Sequence, residues 1–206
     1  MTIKHFVGRI ASVWEGLRPM TRNMLVGALQ IDNAGSQGPK PPKFSYDAHA
    51  DWELSRLLSA LDEQSGSADL EKDAATLDEM EHLADTCVRV LETQSASAEV
   101  FIQLAERALR RHDYNKLESL ADRLTERFSA SEISEIIRQT GSPQIRAIAY
   151  ETLATLPVQS IVPLLDDSLY ADIGTAALEQ KAFEYESEEA RDVLDQMDSQ
   201  ISGRSE

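Results

Sequence analysis

"SPQIRAIAYETLATLPVQSIVPLLDD", residues 142–167, is the stretch from which the rest of the chain is read. Ser142 is a helix-capping residue type, and Pro143 suits a first helical turn, where its missing amide hydrogen is not needed. Ile145, Ile148, Ala149, Thr152, Leu153 and Leu156 follow at mostly three- and four-residue steps, which puts them on one side of a helix. Pro157 interrupts it. Ile161, Val162, Leu164 and Leu165 then supply the apolar side of a second helix, before Asp166 and Asp167. Such a hairpin cannot hide its apolar face alone. Neighbours of the same kind, stacked against it, can.

The pattern continues in both directions. Ile173, Ala176, Ala177 and Ala182 echo Ile145, Ile148, Ala149 and Ala154, although Lys181 stands in the place of Leu153. "SEEARDVLDQMD" follows as a further helix with Ser187 as cap, and "SQISGRSE" reads as a tail. Upstream, "SEISEIIRQTG" predicts a short helix capped by Ser131 and ended by Gly141. Ser97 is a candidate cap for the segment at 98–131. There, Phe101, Leu104, Ala105 and Ala108 form one stripe, a tight turn comes at His112–Asp113, and Tyr114, Leu117, Ala121 and Leu124 form the next. A long helix over roughly 69–92 aligns Leu70, Ala74, Leu77, Met80, Ala84, Cys87, Val88 and Leu91. Before it, Leu54, Leu57, Leu58 and Leu61 mark a helix over 47–62.

Residues 98–131, with a large residue, Leu104-Ala105, Ala108 and an Asp113-Tyr114 turn, resemble one tetratricopeptide unit. Leu117 and Leu124 depart from that family's alanines, and its closing proline is missing. The hairpin at 142–167, with Arg146 after Ile145 and "VPLLDD" at its end, resembles a HEAT-type repeat. The two resemblances together cover about residues 98–197. They imply a partner-binding scaffold, since most proteins of these families are scaffolds and a few are enzymes.

Charge divides the chain differently. The net charge is −16. Residues 1–43 hold six bases (Lys4, Arg9, Arg18, Arg22, Lys40, Lys43) against Glu15 and Asp32, so the remainder carries −20. Such a body repels phosphate backbones, which disfavours a nucleic-acid role. No apolar run reaches the length of a membrane span, and no secretory signal is evident. The single cysteine, Cys87, shares a face with Ala84, Val88 and Leu91 and reads as a small core side chain in a reducing compartment.

The N-terminal segment is the strongest functional lead. Ile3, Phe6, Val7, Ile10, Val13, Trp14 and Leu17 make a one-sided apolar helix with a basic opposite side. Pro19 breaks it before "MTRNMLVGALQ" resumes. "DNAGSQGPKPPK", residues 32–43, reads as a linker. The arm is expected to pack on the acidic body or on a partner protein, with an anionic membrane, an organelle-targeting role and nucleic acid as the other readings. Phe6, Ile10, Trp14 and Leu17 are the expected contact, steered by Arg9, Arg18 and Arg22.

Other constellations carry less. Glu79 and His82 form one Glu-x-x-His pair, where a di-iron site needs two and further glutamates. Asp47, His49 and Asp51 read as an acidic helix start. Arg107, Arg110, Arg111, Arg123 and Arg127 read as a salt-laced surface. Tyr114, Arg146 and Tyr150 are candidates for a second, concave surface. No hydrolase elbow or phosphate loop is present. The expectation is therefore an all-α protein, a short right-handed superhelix of stacked hairpins. A basic arm (1–31), a linker (32–45), an acidic repeat-like domain (46–198) and a tail (199–206) make up the chain. It is read as a non-catalytic cytoplasmic scaffold or accessory subunit without metal or cofactor, docking on a protein partner through the arm. The alternative is a peripheral protein held on anionic lipid.

Overall fold

The computed structural model describes residues 8–34, 46–66 and 74–203, and among these the chain is all-α, with no strand. It divides into two compact units, Met1–Val100 and Phe101–Glu206. The change from basic to acidic composition near residue 43 does not coincide with this division.

In the first unit, α1 (Arg9–Gly16) lies on α3 (Ala48–Gly66), and α2 (Pro19–Ala34) lies on both α3 and α4 (Ala74–Gln94). Helices α3 and α4 pack along each other. Leu54, Leu57, Leu58 and Leu61 of α3 are buried with Met80, Leu83, Cys87 and Leu91 of α4. Ile10, Leu17, Leu25 and Leu29 from the N-terminal segment are buried too. Each such side chain contributes about 1.5–3 kcal/mol, whereas an exposed ion pair contributes about 0–1 kcal/mol. Apolar burial therefore holds the arm in place, and its charges set the register. The start of α1 is fixed by Gly8, whose φ of 74° lies in the region other residues avoid. The linker's residues 35–45 lie outside the described residues.

The second unit contains the rest of α5 (Ala98–Arg110), then α6 (Tyr114–Arg127), α7 (Ala130–Gln139), α8 (Pro143–Thr155), α9 (Val158–Ile161), α10 (Ala171–Glu184) and α11 (Glu188–Gly203). Helix α7 packs on α8 and α10 on α11 as hairpins, while α6, α8 and α10 form a row, each against the next. The turn between α5 and α6 falls where expected. His112 adopts φ 54°, and the Asp113 amide donates to the Ala108 carbonyl at 2.9 Å, which closes the helix end.

The hairpin at 142–167 forms, with one difference. Ser142 caps α8, its hydroxyl accepting from the Ile145 amide at 3.4 Å. The second limb is one α-turn, α9, followed by a 3-10 segment at Val162–Asp166. Pro163 supplies no amide hydrogen to an α-helical ladder there. Ile161 and Leu164 are buried all the same. Helix α7 is capped by Ser129 rather than Ser131. Ser129 and Glu132 exchange side-chain and backbone hydrogen bonds in a capping box, and Thr140, not Gly141, is the C-cap. The break in the echo at Lys181 also has a cause: its Nζ donates to the Ala154 carbonyl at 2.9 Å, joining α10 to α8 where an apolar residue would only pack. No described helix is long and apolar enough to cross a membrane.

Gly174 of α10 is buried against the 3-10 segment, and a Cβ placed there would sit 3.0 Å from Cβ of Leu164. Leu164 Cβ is bonded directly to its backbone and cannot swing aside. Gly174→Ala is expected to destabilise the protein by about 1–3 kcal/mol despite alanine's better helix propensity. Gly141→Ala, with nothing within 4 Å, is expected to stay within about 0.5 kcal/mol. Urea midpoints of the two variants check this.

Candidate functional site

The seven arm residues expected to meet a partner are distributed as follows. Phe6 lies outside the described residues. Ile10 and Leu17 are buried in the first unit, and Trp14 is half-buried. Arg9 pairs with Glu63 of α3. Arg22 closes the end of α1: its Nη2 donates to the Leu17 carbonyl at 2.8 Å and to the Glu15 carbonyl at 3.2 Å. Arg18 is the most engaged. Its backbone amide donates to Glu53 Oε1 at 2.8 Å, its Nε donates to Glu53 Oε2 at 3.1 Å, and its two terminal nitrogens grip Asp47 at 2.7 and 3.0 Å. Thr21 also donates its hydroxyl to Glu53. The arm is thus not held apart from the acidic helices that follow it. A basic amphipathic helix finds in its own unit both an apolar face and carboxylates at the right places.

Glu53 is 5% exposed, so an uncompensated charge there would be costly. Burial alone pushes its carboxyl up. Hydrogen bonds from Thr21, the Arg18 amide and the Arg18 guanidinium outweigh this and hold it below its usual 4.5. Asp47 is lowered too, first by the Arg18 guanidinium and then by the Ala50 amide, which donates at 2.9 Å as Asp47 caps α3. This confirms the helix-start reading of Asp47. His49 is exposed, and Asp51 accepts from the Tyr46 hydroxyl instead of joining a site.

The remaining sequence candidates do not converge. Helix α4 carries Glu79 and His82, both half-buried, and no group of three or more potential metal-binding side chains occurs among the described residues. Arg107 is buried, and Arg110 pairs with Glu106 across one turn at 3.8 Å. Arg146 donates to the Thr140 carbonyl at 2.7 Å, Tyr150 is half-buried and Tyr114 is exposed. Among the described residues, no hydrogen bond or ring contact joins these three.

Sequence reasoning missed the open groove between α10 and α11. Its volume is ≈ 920 Å³, and Ala176, Leu194 and Met197 give it an apolar floor. Phe183 stands over it, 88% exposed. The rotation of α10 leaves Phe183 no inward position. Lys181 reaches Ala154, Gln180 donates to Glu151 at 3.0 Å, Tyr185 donates to Glu151, and Ala182 is buried. Position 183 is two residues past Lys181, about 200° around the helix. Glu186, at φ 52°, then turns the chain sharply into α11. The available sequence signal was Phe183 falling one residue beyond the stripe Ile173, Ala177, Ala182.

Glu53→Gln is expected to cost about 1–3 kcal/mol, because the Arg18 and Thr21 donors lose their ionised acceptor. The folded-state values of Glu53 and Asp47 lie below their ordinary ones. Their contribution is therefore whole above the ordinary carboxylate range and is lost as pH falls through it toward the lowered values. Both tryptophans, Trp14 and Trp52, belong to the first unit. Urea titrations followed by tryptophan emission are expected to show stability falling below about pH 4.5, less steeply in Glu53→Gln. No family model matches the chain, and neither a curated protein nor a solved structure matches it.

Proposed function

We propose that the chain is a non-catalytic interaction scaffold or accessory subunit that docks on a larger assembly, built from hairpins of the tetratricopeptide and HEAT kind. The observation that carries this reading is Phe183, 88% exposed above an apolar groove, on a helix whose orientation is pinned by Gln180, Lys181 and Tyr185. A single exposed apolar residue is ordinary. One that stands on a fixed platform beside Leu194 and Met197 forms a patch of the kind partners use.

The arm serves this function as the folded flank of the first unit, through the outer parts of Trp14 and Arg9, rather than as a detached helix. Burial of Ile10, Leu17 and Leu25 turns inward the apolar face that lipid would need, and so favours the protein partner over the membrane. A cytoplasmic setting suits a chain with one cysteine.

A photoreactive phenylalanine analogue at position 183, introduced into the full chain in its own cells, is expected to form a discrete cross-linked species. The same analogue at exposed Gln159 is expected to form none. Equal or absent cross-linking at both positions would remove the scaffold reading.

A further inference from the structure

We infer that the α10–α11 groove receives a basic amphipathic helix of a partner protein, its apolar side on Phe183, Leu194 and Met197 and its lysines or arginines against the rim; this rests on the scaffold reading above.

Residues 171–203 hold nine acids against two bases, a net of −7. Both bases are committed to the backbone. Lys181 donates to the Ala154 carbonyl at 2.9 Å, and Arg191 donates to the Ala182 carbonyl at 3.0 Å. Asp172, Glu179, Asp195 and Asp198 line the groove and its extension toward Glu186, and no described residue pairs with them. The lining is therefore apolar at the bottom and, apart from Arg191 in the extension, anionic among its charged side groups.

That combination selects the occupant. Anionic lipid and nucleic acid are repelled by the same carboxylates. A second copy docking this face on itself would bring −7 against −7 in a two-fold interface. A basic helix meets an opposite charge on either side of an apolar contact. The groove residues of α10 run from Ala171 to Glu184, thirteen steps or about 20 Å, which is about three and a half turns of an occupant helix.

The probe is a leucine–lysine amphipathic peptide about four turns long, with its leucine–glutamate counterpart and a scrambled leucine–lysine sequence as controls. Binding to the full chain is read by fluorescence anisotropy at two salt concentrations, and the contact is mapped by amide chemical shifts. The leucine–lysine peptide is expected to bind with shifts gathered on α10 and α11, and neither control is expected to match it. Phe183→Ala is expected to weaken binding about tenfold or more. The double variant Glu179→Gln with Asp198→Gln is expected to weaken it and to flatten its salt dependence. All these positions are at the surface, and unchanged thermal midpoints verify the folds. No binding, an equally tight scrambled peptide, shifts centred elsewhere, or Phe183→Ala binding like the parent chain would each overturn the inference. If the peptide fails while position 183 still cross-links selectively, the basic-helix inference falls and the scaffold reading stands; failure of both removes both.

Discussion

The buried carboxylate of Glu53 is the constraint on which the first unit turns. It is almost fully buried, where a charge is tolerated only if its oxygens are well engaged. All of its donors come from the N-terminal segment: the Arg18 amide, the Arg18 guanidinium and the Thr21 hydroxyl. One side chain on α3 therefore dictates where the junction between α1 and α2 must lie. Ile10 and Leu25, on either side of that junction, are then buried as α1 lies on α3 and α2 on α3 and α4. The attraction is mainly apolar, but only one register satisfies the carboxylate.

Much of the architecture was readable because helical hairpins write their packing into three- and four-residue steps. The stripes Leu54–Leu61 and Phe101–Ala108 are core, and so is Ile145–Leu153 except for half-buried Ile148. The turn at His112 and the cap at Ser142 carried local signals of known physical meaning. What escaped was decided at longer range. Charge composition separated residues 1–43 from the rest, yet composition does not register that Arg18, Asp47 and Glu53 meet, because that contact spans about thirty residues of chain. Ser131 fits a cap by residue type alone, but it is Ser129 that has a glutamate three residues on, and that pair closes the reciprocal cap. The limb after Pro157 had the right apolar residues for a helix, but Pro163 made most of it 3-10.

The candidate surface escaped for a related reason. Pattern reading looks for apolar residues that agree with a stripe, and Phe183 disagrees with one. Its exposure follows from Lys181, which looks like a flaw in the apolar stripe and is in fact a tie to the Ala154 carbonyl. Gln180 and Tyr185 add further ties to Glu151 on α8. A polar residue in an apolar position thus fixes the rotation of α10, and the rotation leaves the phenylalanine facing out. The acidic excess of residues 44–206 has a local expression along α10 and α11, where both cations are turned to carbonyls.

Cys87 has a separate consequence. It is the chain's one cysteine, and it is fully buried on α4, the helix on which α2 and α3 both pack. A thiol reagent in water reaches its sulfur only when this packing opens. The alkylation rate of the unmodified protein therefore measures how often the packing around α4 opens, at one defined atom and with no label engineered into the chain.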